Sequence, residues 1–231
     1  MILYVVMAVS EEEYLSRAEI LLRHKLTFER LAERPCLLRR CSEVTPAFVE
    51  EYPVTALVVS GFGKGWDEFD RADLYGLSDV LRATNRPVLG LCGGHQLLGH
   101  VFSGDLRAAE TLADEPLRRL REGEADLEPG YHPGWFTETG VQPVRVVAPQ
   151  DPLFAGLPAT VMVWENHYCE VKALPPDFVL LAENGNCSIQ AMRHRERGVY
   201  GVQFHPEYYT DDYPHGRTML ENFFRLAEVR P

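Results

Sequence analysis

Apolar residues run almost without interruption over Ile2–Met7, 55–59 and Val88–Leu91. Short runs of this kind are central strands covered on both faces. Between them, apolar positions recur at helical spacing. Ser10 with Glu13 makes a capping box, and Tyr14, Ala18, Leu21 and Leu22 continue a single helix behind it. Pro35–Arg39 reads as a further strand, and Thr45-Pro46 opens a short helix through about Glu51, with proline at its first position. Leu74, Leu77 and Leu81 line one face of the next helix. Strand and helix signals that alternate over short connections predict a parallel sheet with right-handed crossovers. In such sheets ligands gather beyond the C-terminal ends of the strands.

The periodicity lapses from Ser103 to about Thr139. Arg118–Glu122 reads as a charged helical fragment with a solvated face, and residues 129–136 are turn-rich and aromatic. A long irregular stretch inside a compact domain usually has a function, so residues 104–139 read as an insertion or lid. Beyond it, strands are expected at Val144–Ala148, Val161–Trp164, Phe178–Ala182, Ser188–Met192 and Val199–Phe204. A last helix from about Gly216 turns Met219, Leu220, Phe223, Phe224 and Ala227 inward. No repeat or linker interrupts the pattern, so residues 1–231 read as one domain.

Composition narrows the functional classes. Apolar residues make up 45% and charged residues 25%, as in ordinary globular proteins. Lys and Arg number 23 against 34 Asp and Glu, a net charge of −11. That balance disfavours nucleic acid and anionic membranes as partners. The five cysteines (36, 41, 92, 169 and 187) are scattered and include no CxxC pair. This argues against a disulfide framework and a zinc knuckle, and fits a reducing, cytoplasmic setting. The N-terminal run is followed at once by Glu11-Glu-Glu13 and reads as a core strand, not a signal peptide. Histidines and carboxylates lack metal-ligand spacing, and nothing calls for an organic cofactor.

Candidate chemistry sits at the end of the strand Val88–Leu91. Gly90-Leu-Cys92-Gly-Gly94 is a G-x-nucleophile-x-G corner with cysteine in the nucleophile's place, and helical periodicity follows it. Such a corner forces the side chain outward and aims the next helix's N-terminal amides at it. A buried structural cysteine in a Gly-rich turn would look the same. A base elsewhere decides between the two readings. His205 ends the strand Val199–Phe204, Pro206 stiffens the turn beyond it, and Glu207 lies within reach of the imidazole. Such a carboxylate accepts one ring N–H and leaves the other nitrogen for Cys92. The loop Ser60-Gly-Phe-Gly-Lys-Gly65, three glycines in five residues, lies at the same sheet edge, but lacks Walker or dinucleotide spacing.

Gly90-Leu-Cys92-Gly-Gly-His-Gln96 together with Gly201-Val-Gln-Phe-His205-Pro-Glu207 resembles the class I (triad) glutamine amidotransferases; Cys92 and His205 lie 113 positions apart, in the family's order. Val163-Trp-Glu-Asn166-His167-Tyr-Cys-Glu-Val171 is similar to a third family signature, with Asn166 where serine is usual. The resemblance implies a three-layer flavodoxin-like α/β fold: a mostly parallel sheet flanked by helices, with additional C-terminal strands. It implies a catalytic triad of Cys92, His205 and Glu207 that strips ammonia from L-glutamine through a γ-glutamyl thioester, for a partner synthetase. Oxyanion donors would come from Gly93 and from the glycine loop at Phe62 and Gly63. Phe62 stands where glycine is common in the family and Gly63 where proline is common. Gly61, Gln96, Asn166, His167 and Tyr168 would contact substrate, the last three in a loop around the amino-acid head group. No metal and no cofactor are implied.

Two alternatives stay open from the residues alone. The same triad serves a γ-glutamyl peptidase or hydrolase acting on another γ-glutamyl compound. A non-catalytic regulatory or scaffold subunit would keep the fold and drop the chemistry.

Overall fold

The computed structural model describes residues 1–228, so the last three residues of the 1–231 domain reading lie outside the described part. Strand β1 (Ile2–Val6) leads through helices α1 (Glu11–Ser16) and α2 (Ala18–Ala32) to β2 (Cys36–Arg40). Then come α3 (Pro46–Glu51), β3 (Ala56–Val59), α4 (Ala72–Ala83) and β4 (Val88–Leu91). Helix α5 (Gly93–Ser103) starts one residue beyond β4. After an irregular stretch follow β5 (Glu138–Val146), β6 (Thr160–His167), β7 (Phe178–Glu183), β8 (Ala191–His194), β9 (Val199–Val202) and α6 (His215–Glu228).

The nine strands form one sheet in the order β2-β1-β3-β4-β9-β8-β7-β5-β6. Neighbours from β2 to β9 run parallel, and those from β9 to β6 antiparallel. The expected parallel α/β sheet is therefore extended by the strands that follow the irregular stretch. Alternation along β1 sends Ile2, Tyr4 and Val6 to one face, against Leu21 and Phe28 of α2 and Phe223 of α6. Leu3 and Val5 go to the other, against Leu74 and Leu77 of α4 and Leu97 of α5. No described helix is long and apolar enough to cross a membrane.

Several local readings change. The first helix breaks at Arg17 (φ −93°, ψ 5°), whose guanidinium donates to the carbonyls of Met7 (2.7 Å) and Gly61 (2.9 Å). Leu22, expected on the inward stripe with Leu21, is half exposed. Residues 118–122 are not helical. Arg118 lies over the Phe136 ring at 3.8 Å and pairs with Glu124 at 2.7 Å, so its charge is spent inside the segment. Residues 104–137 carry no helix or strand, only isolated bridges that join Pro116 to Cys169 and Arg119 to Trp135. Strand β5 begins at Glu138, earlier than the apolar run at Val144, because its polar first half pairs along β6. The strand expected at 188–192 forms instead at Ala191–His194.

A buried charge cluster ties β5 to β6. Glu138 and His167 are register partners, and His167 Nε2 lies 3.2 Å from Glu138 Oε2 and 3.2 Å from Glu165 Oε2. Its Nδ1 donates to the Cys169 carbonyl at 2.8 Å. Glu138 also accepts from Asn184 (2.8 Å), Asn186 (3.2 Å) and Gln190 (3.0 Å). Burial alone would lower the His167 pKa, but the two carboxylates outweigh it and push the value up to about 10. Burial works to raise Glu138 too, and its donors hold it below the usual carboxylate range; Glu165, less well supplied, is pushed up by burial.

The folded protein therefore keeps a proton on His167 that the unfolded chain releases near pH 6.5. The stability it contributes is fully present below that pH and is lost as pH rises through about 10. Urea unfolding followed from pH 6.5 to 10 should show stability falling with pH, and His167→Gln should flatten that fall. An unchanged slope in the variant would contradict the assignment.

Candidate active site

Cys92 adopts φ 48° and ψ −105°, a region that non-glycine residues enter only under constraint. The constraint is the close approach of α5 to the strands beneath it. A Cβ on Gly90 would lie 2.6 Å from the Gly94 carbonyl, and one on Gly94 would lie 2.4 Å from the Val59 carbonyl oxygen. Glycine at both positions lets the chain turn at once from strand to helix. The Cys92 amide donates to the Val202 carbonyl at 2.8 Å, and its carbonyl accepts from Gln96 N at 3.1 Å, inside the first turn of α5. The corner is thus bonded on one side to β9 and on the other to its own helix.

That bond to β9 also places the base. Leu91 and Val202 are register partners, so the residues just past each strand end meet at the sheet edge. His205 donates its backbone N–H to the Trp164 carbonyl at 2.8 Å, which ties it to β6 as well. Its Nδ1 lies 2.8 Å from Glu207 Oε1, and the Glu207 carboxylate is almost wholly buried in the short turn Pro206–Tyr208. The ring also lies beside Cys92: one point next to Gly61 is 3.2 Å from both Cys92 Cβ and His205 Cε1. Burial would lower the His205 pKa; the charges of Glu207 and Cys92 outweigh it and raise the value well above that of a free imidazole. Glu207 is correspondingly held low by His205, against burial. Cys92 Sγ further accepts from Gln203 Nε2 at 3.6 Å and faces the Asn166 carbonyl oxygen at 3.9 Å.

The glycine loop closes the third side. A Cβ on Gly61 would stand 3.2 Å from both Cys92 Cβ and His205 Cε1, so the loop backbone lies against both groups. The Phe62 ring covers Gly93 so closely that a Cβ there would reach it at 2.2 Å. Phe62 packs edge-on against Trp66 and Phe69, with ring centres 4.6 and 4.9 Å away. Its departure from the family's glycine therefore fills an aromatic cluster beside the corner.

A cavity of about 180 Å³ opens in front of Cys92, and Phe62, exposed Gly63, Gly93, Gln96, Asn166 and Tyr168 reach its wall. Asn166 and His167 are the last residues of β6 and not part of a loop, because the strand pairs with β5 as far as Glu138. His167 also borders the cavity, while its ring is committed to Glu138 and Glu165. Gln96 has both ends engaged: Oε1 accepts from Trp66 Nε1 at 3.1 Å, and Nε2 donates to the Cys169 carbonyl (3.2 Å) and Gln203 Oε1 (3.3 Å).

Sequence reasoning missed several contributors. Lys64, Asp114, Glu128, Tyr131, Thr137 and Cys169 also line the cavity, four of them from the irregular 104–137 segment. Tyr168 donates its hydroxyl to Asp114, which anchors that segment over the site. Gln203 was visible only as part of the His205 motif. Glu138, Glu165 and His167 bring three metal-capable donor atoms within 4.8 Å of one another, a juxtaposition hidden by their separation in sequence. An imidazolium shared between carboxylates accounts for it.

The family model described as glutamine amidotransferase class-I matches residues 38–227. The chain is 36% identical over 143 residues to a glutamine-hydrolyzing GMP synthase subunit of Pyrococcus furiosus, covering 62% of this chain and 61% of that protein. It is 33% identical over 175 residues to the protein of the same name from Archaeoglobus fulgidus, covering 76% and 77%. Two solved structures share the fold. A putative GMP synthase subunit from Thermoplasma acidophilum superposes with a TM-score of 0.70 at 24% identity, covering 99% of this chain and 94% of that one. The glutaminase domain of Trypanosoma brucei CTPS, with bound acivicin, gives 0.66 at 14% identity, covering 100% and 95%. With the family model spanning most of its length, the chain belongs to the class I glutamine amidotransferases.

Proposed function

We propose that this protein hydrolyses the side-chain amide of L-glutamine through a Cys92 thioester and passes the ammonia to a separate synthetase subunit. One observation carries the reading. A strained cysteine corner, a histidine beside that cysteine and a buried glutamate bonded to the histidine converge from two parallel strand ends. With the proton resident on His205, Sγ attacks the carboxamide carbon. The C–N bond then breaks as His205 protonates the leaving amine, and ammonia departs. His205 next takes a proton from water, whose oxygen displaces the sulfur and yields glutamate. Gly93 and the 61–63 loop supply amides for the oxyanion, each worth ~3 kcal/mol where such donors have been removed.

The small cavity favours a single amino acid over a larger γ-glutamyl compound, since pockets for larger ligands usually exceed about 300 Å³. Asn166, Tyr168 and Gln96 would border the head group, and residues 104–137 would act as the wall over it. The relatives named as GMP synthase subunits point to a GMP-forming synthetase as the acceptor partner.

His205 faces a different cavity of about 260 Å³, bordered by Trp164, Tyr208 and Tyr213, whose side chains are about two-fifths exposed. His205, which protonates the leaving amine, lines this aromatic face, and the partner would dock there.

Purified protein should release glutamate from glutamine, with its partner if necessary. Cys92→Ala and His205→Ala should abolish release with the fold retained, and His205→Ala should also lower the melting temperature, because it leaves the buried Glu207 carboxylate unpaired. Glu207→Gln should lower kcat by on the order of a hundredfold. Turnover of a γ-glutamyl peptide without turnover of glutamine would overturn the substrate assignment. For the partner face, Tyr213→Glu should keep basal glutaminase activity and lose stimulation by the synthetase subunit; full stimulation would place the partner elsewhere.

A further inference from the structure

The glycine loop offers three backbone amides, at Gly61, Phe62 and Gly63, and its hydrogen bonds distinguish among them. The Gly61 carbonyl oxygen is held twice: Arg17 Nη2 donates to it at 2.9 Å and Ser60 Oγ at 2.8 Å. The Ser60 hydroxyl is itself oriented, because it accepts from the Met7 amide at 2.9 Å. Arg17 is equally fixed. Its Nη1 donates to the Met7 carbonyl at 2.7 Å and lies 3.6 Å from Glu13, whose other oxygen accepts from Val9 N at 2.7 Å. The guanidinium is thereby fastened to the end of β1, at the break between α1 and α2.

A trans peptide is planar, with its C=O and the following N–H pointing in opposite directions. Holding the Gly61 carbonyl toward β1 therefore turns the Phe62 N–H away from β1. The Gly61 backbone abuts Cys92 and His205, and a Cβ there would be 3.7 Å from the sulfur itself. Among the described residues no group accepts a hydrogen bond from the Phe62 amide, nor from those of Gly61 and Gly63, so the fixed Gly61 carbonyl is what selects Phe62. We infer that Arg17, with Ser60, is a positioning residue that sets the Gly61–Phe62 peptide so that the Phe62 N–H joins the Gly93 N–H in binding the oxyanion. This rests on the glutamine-hydrolysis reading. A turned peptide would present a carbonyl oxygen to the developing negative charge, losing a donor and adding repulsion. The effect falls on the chemical step, because the carboxamide of bound glutamine acquires that charge only during attack.

The test uses the full-length protein and glutamine, with the synthetase subunit present if the wild type requires it. Arg17→Ala should lower kcat roughly ten- to a hundredfold, a partial loss of an oxyanion donor. KM should stay within about twofold, as expected when only transition-state binding is lost. Alkylation of Cys92 by iodoacetamide, which builds no oxyanion, should keep its wild-type rate. Added guanidinium ion should restore part of kcat to Arg17→Ala but none to the wild type. If Arg17→Ala does not fold, Arg17→Lys and Ser60→Ala serve, each with a smaller kcat loss at unchanged KM. Wild-type kcat in these variants would overturn the inference alone, and so would parallel losses of kcat, KM and alkylation. A wild type inert toward glutamine under all these conditions would sink the functional reading and this inference together.

Discussion

Cys92 stands at φ 48°, ψ −105°, and it is held there by backbone packed on backbone. Leaving Gly90 and Gly94 without side chains lets α5 sit directly on β3 and β4, while the Cys92 amide is bonded across to Val202. Strain of this kind costs on the order of 1–3 kcal/mol and persists only where the surroundings over-determine it. Here they do, through a register that also fixes the end of β9. Once Leu91 lies beside Val202, the residues beyond them have little freedom, and His205 is brought to the sulfur by the same pairing that holds the corner. The geometry of nucleophile and base is therefore a property of the sheet, not of two loops adjusted independently.

Around that corner the protein buries two imidazoles with carboxylate partners, and they do different work. His205 has one carboxylate, Glu207, and keeps its other nitrogen for the sulfur. His167 faces two carboxylates and a carbonyl, so both nitrogens are committed and the residue serves as a fixed buried cation. Removing one member of such a buried group leaves an uncompensated charge, which is strongly destabilising. The His167 cluster locks the end of β6, and Asn166 at that end presents its carbonyl oxygen to Cys92. The charge that organises the antiparallel extension thus also places one wall of the site.

Much of this was legible in the chain. Continuous apolar runs identified β1, β3 and β4, because strands buried on both faces leave no polar alternation to confuse the signal. The Cys92 corner and the His205–Glu207 pair were readable because each is local: a few residues carry the whole geometry. What could not be read depends on contacts distant in sequence. Arg17 lies within a stretch of helical spacing, yet the helix breaks there and its guanidinium reaches Met7 and Gly61. Arg118 looked solvated, yet its charge is used over Phe136 and against Glu124. Glu138 sat in a stretch without periodicity, and only the pairing of β5 with β6 reveals its partner. The 104–137 segment gave no pattern because its order comes from side chains such as Asp114 and Arg118, not from repeating backbone structure.

In the proposed reaction Cys92 becomes acylated by glutamine while His205 manages the protons. Peptide mass spectrometry of protein quenched in acid during glutamine turnover tests this most directly. A γ-glutamyl adduct is expected on the Cys92 peptide, absent in His205→Ala and absent from the other four cysteines. Turnover without an adduct on Cys92, or with the adduct on another cysteine, would contradict it.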